Sequence, residues 1–199
     1  MSDASSMTTT PSFVFTDLDA IRTCLITQGS TAYGGEAISQ LEHALQAAHA
    51  AEQADASPEV IIAALLHDIG HLVAGQQDDD LANGIDDHHE AIGANALKAL
   101  FGPAVWQPIA LHVAAKRYLC ATEPGYLAGL SLASQQSLAL QGGPMDDEAA
   151  SRFRQRPHAE AAILVRRFDD EAKVPNLPTP TLKHFLALAK PLCAADSMS

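Results

Sequence analysis

The run Leu66-His67-Asp68-Ile69-Gly70-His71 places two imidazoles and a carboxylate at the end of an apolar helical stretch. Successive residues of a helix are turned by about 100°. His67 and Asp68 therefore point in neighbouring directions, and His71 stands one turn beyond His67 on the same face. Imidazole could hold one metal ion while the carboxylate also reaches a second, bridging the two. A charged group ending an apolar helix needs a partner, and Gly70 leaves room for close approach. Further candidate ligands fall on other expected helices. His43 follows Glu36 by seven residues, on roughly one face; His88-His89 opens a helix and precedes Glu90; His112 sits among apolar residues, with Lys116 one turn later and Arg117 beside it. Any one of these histidines alone would read as a satisfied core residue. Spread over four successive helices, they supply the converging directions that a helical metal box requires. Imidazole with a bridging carboxylate suits iron, manganese or zinc, and ligand type alone does not choose among them. His49, His158 and His184 lack such surroundings and read as surface or structural residues. Asp78-Asp-Asp80 reads as a solvated loop, because it lacks the Gly and Glu spacing of a calcium loop.

The elements that must position these groups are all helical. Thr16-Asp-Leu-Asp19 resembles a capping box, after which Leu18, Ile21, Leu25 and Ile26 recur at helical spacing until Gly29. A second helix is expected from near Gly35, burying Ile38, Leu41, Ala44, Leu45 and Ala48. Ser57-Pro58-Glu59 is a strong helix start, with Ser as N-cap and Pro at the first position. The helix it opens, through Val60 to Asp68, is apolar almost all round and is expected at the centre. Residues 75–86 read as an exposed loop. Helices are expected at 87–100, 103–119, 127–140, 146–155 and 157–172, and a last one ending near Pro191. With no strand pattern, the fold class is all-α. Residues 1–12 are expected to form a disordered tail and 13–195 a single helical domain.

Composition narrows the function classes. The chain has 199 residues and a formal net charge of −12, so general binding to nucleic acid or anionic lipid is disfavoured for want of clustered positive charge. No apolar run approaches the roughly 20 residues that span a bilayer. The polar first ten residues are unlike a secretory signal. Three scattered cysteines (Cys24, Cys120, Cys193) without a CxxC suit a reducing compartment. The expectation is a soluble cytoplasmic protein.

The order of ligands, His43, then His67-Asp68, then the middle histidines, then Asp169, resembles the HD-domain superfamily and its helical bundle. Most of that superfamily are phosphohydrolases. Other stretches match more narrowly. Tyr33-Gly-Gly-Glu36 through His43, His88-His-Glu-Ala-Ile-Gly93, His112 through Cys120, Gln141-Gly-Gly-Pro-Met145 and Asp169-Asp-Glu-Ala-Lys-Val174 resemble the 2-amino-1-hydroxyethylphosphonate dioxygenases. The likeness runs in order from about Tyr33 to Val174. These enzymes are similar in chemistry to myo-inositol oxygenase, a mixed-valence di-iron enzyme on the same scaffold.

The resemblance implies two iron ions, Fe(II)/Fe(III), held by His43, His67, Asp68, His89, His112 and Asp169, with Asp68 bridging and O2 as cosubstrate. It places Tyr33 and Glu36 beside the open coordination position as catalytic and substrate-binding residues. His71, Lys116, Ser134 and Arg166 match positions that hold the phosphonate. A dianion needs cationic and hydroxyl donors, which an acidic protein must supply locally. The implied reaction is oxidative cleavage of a carbon–phosphorus bond, since hydrolysis leaves a poor carbon leaving group. The substrate is then a small 1-hydroxy-2-aminoethylphosphonate, giving glycine, or its trimethylammonium analogue, giving glycine betaine. Tyr33, Tyr126 and Phe153 are candidate walls around a quaternary head group. Gly34 stands where the family segment carries a larger apolar residue, which leaves room for bulk. Two other readings compete. An HD phosphohydrolase acting on a nucleotide or phosphate monoester would use much the same ligands to activate water, but it would not require Tyr33, Glu36 or the Gly-Gly-Pro-Met segment. A non-enzymatic helical module would use the metal box only structurally.

Overall fold

The computed structural model describes residues 13–33, 37–74 and 88–194. Glu36, Gly34, the expected tail and the acidic segment around Asp78–Asp80 lie outside them. Helix α1 (Leu18–Gln28) is capped by Asp17, whose side chain accepts from Ala20 N, so the N-cap falls one residue after the expected Thr16. Helix α2 (Gln40–Gln53) starts five residues later than expected. Ser39 and Glu42 form a reciprocal capping box there, which satisfies two end donors at once and fixes the start. Before it, the chain pairs with itself at Ala32 and Ser39, and Tyr33 N donates to Ile38 O at 3.0 Å.

Helix α3 (Pro58–Leu66) begins at Ser57, as Ser-Pro dictates, and every residue from Val60 to Leu66 is buried. Each fully buried aliphatic side chain here is worth about 1.5–3 kcal/mol. The helix ends at Leu66 rather than running through the motif. His67 and Asp68 form a turn, and α4 (Ile69–Ala74) resumes beyond it. Then come α5 (His89–Leu97), α6 (Pro103–Thr122), α7 (Tyr126–Gly129), α8 (Leu132–Leu140), α9 (Asp147–Arg154), α10 (Ala159–Glu171) and α11 (Leu182–Ala189), closed by a 3-10 turn (Lys190–Leu192). The helix expected at 127–140 is broken at Leu130–Ser131 because Ser131 caps α8 afresh. Among the described residues the only β pairings are isolated bridges.

One apolar cluster surrounds α3 and draws on α1, α2, α5, α6 and α11, with Phe15 and Phe185 fully buried. A second joins Leu111, Ala115 and Leu119 of α6 to Phe153, Ala159, Ala162 and Ile163. Helix α10 packs against α6, α2 and α3, so its buried polar residues Arg166 and Asp169 face the helices that carry the histidines. The Gly-Gly-Pro-Met segment is a fastening. Arg117 donates to the carbonyls of Gly143 (2.8 Å) and Gly142 (3.4 Å), and Met145 N to Arg117 O (3.2 Å). Gly142 and Gly143 both take positive φ, 91° and 69°, which only glycine adopts freely. That fixes the far end of α8 against α6.

Candidate metal centre and anion pocket

Four imidazoles meet around one carboxylate. His43 comes from α2, His67 and Asp68 from the turn after α3, His89 from the first position of α5 and His112 from α6. All four rings are buried. Their Nε2 atoms form two pairs, His43 with His67 and His89 with His112, each 3.1 Å apart. Asp68 lies between the pairs. Its Oδ2 is 3.3 Å from His67 Nε2 and 3.7 Å from His43 Nε2, while Oδ1 is 3.4 Å from His89 Nε2 and 3.5 Å from His112 Nε2. Asp169 joins the first pair only, with Oδ1 at 3.4 Å from His43 and 3.8 Å from His67.

Backbone carbonyls set the tautomers. The Nδ1 atoms of His43, His67 and His112 lie 2.8 Å from the oxygens of Ala172, Ala64 and Ile109. With the proton held there, each neutral ring turns the lone pair of Nε2 inward. Two lone pairs facing at 3.1 Å repel unless a cation or proton lies between them. Nitrogens bound at about 2.0–2.1 Å to a single ion stand about this far apart. The donor set therefore fits two metal ions, one per histidine pair, with Asp68 reaching both.

The same geometry explains the charges. Burial works against a charged His67, yet Asp68 and Asp169 push it up to about 9. Burial opposes a charged Asp68 too, but His67, His89 and His71 hold it well below the usual carboxylate range. His112 is driven well down, by burial first and then by the neighbouring histidines. Protons and metal ions compete for these lone pairs, and the two carboxylates favour positive charge at this position.

Left-handed backbone at His88 (φ 51°) decides between the adjacent histidines, turning His89 inward and leaving His88 exposed. Gly70 lets α4 and α5 touch. A Cβ there would lie 2.0 Å from His89 O and 2.9 Å from Gly93 N. His71 stacks on His89 with ring centroids 4.0 Å apart and joins Asp68 and His89 in a second possible ligand group. Tyr33 stacks on His43 at 3.7 Å, and its hydroxyl donates to Asp169 Oδ1 at 3.3 Å. Burial, with Asp169 and Asp68 beside it, pushes the phenol well above its ordinary value.

Next to Asp169 lies a pocket of cations and hydroxyls. Arg166 is buried and donates to Asp169 and Asp170 through its two terminal nitrogens, to Tyr126 through Nε (3.1 Å) and to Ser134 Oγ (3.4 Å). Burial disfavours its charge, but Asp169 and Asp170 raise it further above its ordinary range. Lys116, also buried, donates to Ser137 Oγ at 2.7 Å. Burial and the nearby Arg166 bring it down to about 8. The other two candidate head-group walls part company. Phe153 is buried in the second apolar cluster, 5.1 Å from Tyr118, and Tyr126 is bonded to Arg166 and Asp170. Tyr126, Asp170, Ser137, Lys173 and Gln46 had no local spacing to single them out, although Lys173 and Asp170 belong to the Asp169–Val174 match.

A helical bundle with a His–Asp box on successive helices is the architecture of the HD domain. The HD domain family profile matches residues 41–172, and the chain belongs to that family. Over 151 residues it is 50% identical to hydroxymethylphosphonate dioxygenase of Gimesia maris, covering 75% of each chain. It is 41% identical over 163 residues to the glycine-betaine-forming [1-hydroxy-2-(trimethylamino)ethyl]phosphonate dioxygenase of Leisingera caerulea, covering 82% of this chain and 83% of the relative. An uncharacterized protein, L432, of Acanthamoeba polyphaga mimivirus is 36% identical over 73% of this chain and 68% of its own.

Proposed function

We propose that this HD-domain enzyme is a di-iron dioxygenase that cleaves the carbon–phosphorus bond of a small 1-hydroxyphosphonate. The observation that carries the reading is Asp68 standing between two histidine pairs, with the pocket of Lys116, Ser134 and Arg166 alongside. Both named relatives are phosphonate dioxygenases, and their substrates share a hydroxyl on the carbon that bears phosphorus.

His43, His67, Asp169 and Asp68 Oδ2 would hold one iron; His89, His112 and Asp68 Oδ1 the other. When bound, the irons supply the electron transfer to O2 that a hydrolytic site lacks. Lys116, Ser134 and Arg166, with His71, fix the phosphonate, so that the hydroxyl-bearing carbon is held at the metal pair. Tyr33, stacked on His43, stands beside the first iron position, and by resemblance Glu36 would serve the substrate's other end. The balance is one O2 consumed, with a carboxylate, inorganic phosphate and a proton formed for each hydroxyphosphonate. That carboxylate is glycine from the primary amine and glycine betaine from the trimethylated substrate. With no disulfide among the described residues and no described helix long and apolar enough to cross a membrane, we place the enzyme in the cytoplasm.

The test is metal analysis combined with O2 uptake and phosphate release on hydroxymethylphosphonate, the primary amine and the trimethylammonium compound. About two irons per chain and O2-dependent phosphate release support the reading. Phosphate release from a monoester under anaerobic conditions, with no O2 uptake on any phosphonate, would sink it in favour of a phosphohydrolase.

A further inference from the structure

The hydroxyls of Ser131, Ser134 and Ser137 follow one another at the start of α8 with a spacing of three, and cations meet them from other elements. Lys116 of α6 donates to Ser137 Oγ at 2.7 Å, and Arg166 of α10 to Ser134 Oγ at 3.4 Å. Lys173, two residues beyond α10, donates to Ser134 Oγ at 3.2 Å and Ser131 Oγ at 3.4 Å. A hydroxyl oxygen accepts two hydrogen bonds. Ser134 receives one from Arg166 and one from Lys173, so its own proton is left to point elsewhere.

The three cations are not equivalent. Arg166 is ion-paired with both Asp169 and Asp170, so its charge is already answered. Among the described residues Lys116 and Lys173 donate to hydroxyls only. A hydroxyl dipole solvates an ammonium without neutralising it. Asp170 feels Lys173, and Asp169, Asp68 and Asp170 act on Lys116, but only through space; two ammonium groups bonded to one serine row suit the two negative charges of an ionised phosphonate.

The backbone on both sides of Lys173 is also fastened. The residues on either side of it are tied to α2: Ala172 O lies 2.8 Å from His43 Nδ1, and Val174 is gripped at both backbone groups by the Gln46 amide. Gln46 Nε2 donates to Val174 O at 2.8 Å, and Val174 N donates to Gln46 Oε1 at 3.0 Å. Gln46 is buried and stands one turn from His43 on the same helix. Such a two-point clamp lowers the ordering cost of a long, flexible side chain on binding.

We propose that Lys173 binds the phosphonate directly, beside Lys116 on the serine row, and that Gln46 is its positioning residue. The proposal rests on the phosphonate reading above. Its test uses the iron-loaded protein, hydroxymethylphosphonate as substrate and inorganic phosphate as a binding probe. Lys173→Met should raise KM and the Kd for phosphate by about tenfold or more, the usual worth of a charged hydrogen bond, while kcat stays within about twofold. Lys173→Arg should recover most of that loss. Gln46→Leu should raise KM and the phosphate Kd in the same direction by a smaller factor, with iron content unchanged. Unchanged KM and phosphate Kd in Lys173→Met overturn the proposal, as does a fall in kcat alone. Unchanged values in Gln46→Leu overturn the clamp. If the wild type takes up no O2 with any phosphonate, the dioxygenase reading fails separately; weakened phosphate binding in Lys173→Met would still uphold the anion site.

Discussion

The two halves of the donor box differ in charge. The half built from His43 and His67 faces two carboxylates, Asp68 and Asp169, and Asp169 is braced from behind by Arg166. The half built from His89 and His112 meets Asp68 at its Nε2 atoms, with Glu90 3.9 Å from His89 Nδ1 and His71 stacked above. Tyr33 covers the first half, stacked on His43 and bonded to Asp169. The second gathers Asp68, His71 and His89, with one carboxylate instead of two. A donor box arranged around one carboxylate thus offers its two halves unlike charge, which would give two like ions unlike environments.

The largest effect should come from removing what the halves share. Asp68→Ala should abolish C–P cleavage and leave fewer than two metal ions per chain by elemental analysis; full iron content would refute the bridging role. Gly70→Ala should come next. Its Cβ would have to displace the backbone of His89, at a cost of about 1–3 kcal/mol. For a chain of this size that lowers Tm by roughly 2–4 °C per kcal/mol, with metal lost first from the His89–His112 half. His112→Ala and His43→Ala sharpen the contrast. His112→Ala leaves one imidazole in its half and should bind a single ion, whereas His43→Ala keeps His67, Asp169 and Asp68 and should retain two at lower affinity. Equal losses would break the comparison.

The smallest effect lies in the pH profile. Lys116 has a folded pKa of about 8 against an ordinary value of 10.5. A lowered pKa in a base means that the folded state binds fewer protons between these values. Stability of the free protein should therefore gain slightly as pH rises from 8 to 10.5. Anion binding should run the other way, because it needs the ammonium: kcat/KM should fall above about pH 8. Lys116→Met should lose that limb along with much of the affinity, which steady-state kinetics across pH 6.5–9.5 would show.

Much of this was legible in the residues. Ser57-Pro58 and Gly102-Pro103 announce α3 and α6 through local chemistry, and α3 is central because seven successive residues are apolar. The ligand candidates His43, His67, Asp68 and His112 stood out because each interrupts an apolar helix face. The inward choice of His89 over His88 was not legible from spacing, since it depends on one left-handed residue. Nor was the helix break at His67–Asp68, because nothing in an all-apolar helix marks its end. Lys173, Gln46 and Asp170 stayed hidden for a different reason. Their partners lie far along the chain or on other helices, and only the packing of α10 against α2 and α6 brings them together.

The Gln46 clamp has a consequence for the order in which the molecule is made. It joins residues 128 apart in the chain, beside contacts spanning 129 residues (His43 to Ala172) and 136 (Tyr33 to Asp169). Contacts of such separation are among the last to form. A chain emerging from the ribosome can build α1 to α6 early, but it lacks Asp169 and the clamp until residue 174 is free. Any metal loading of the carboxylate-rich half would thus follow synthesis of the residues up to 174.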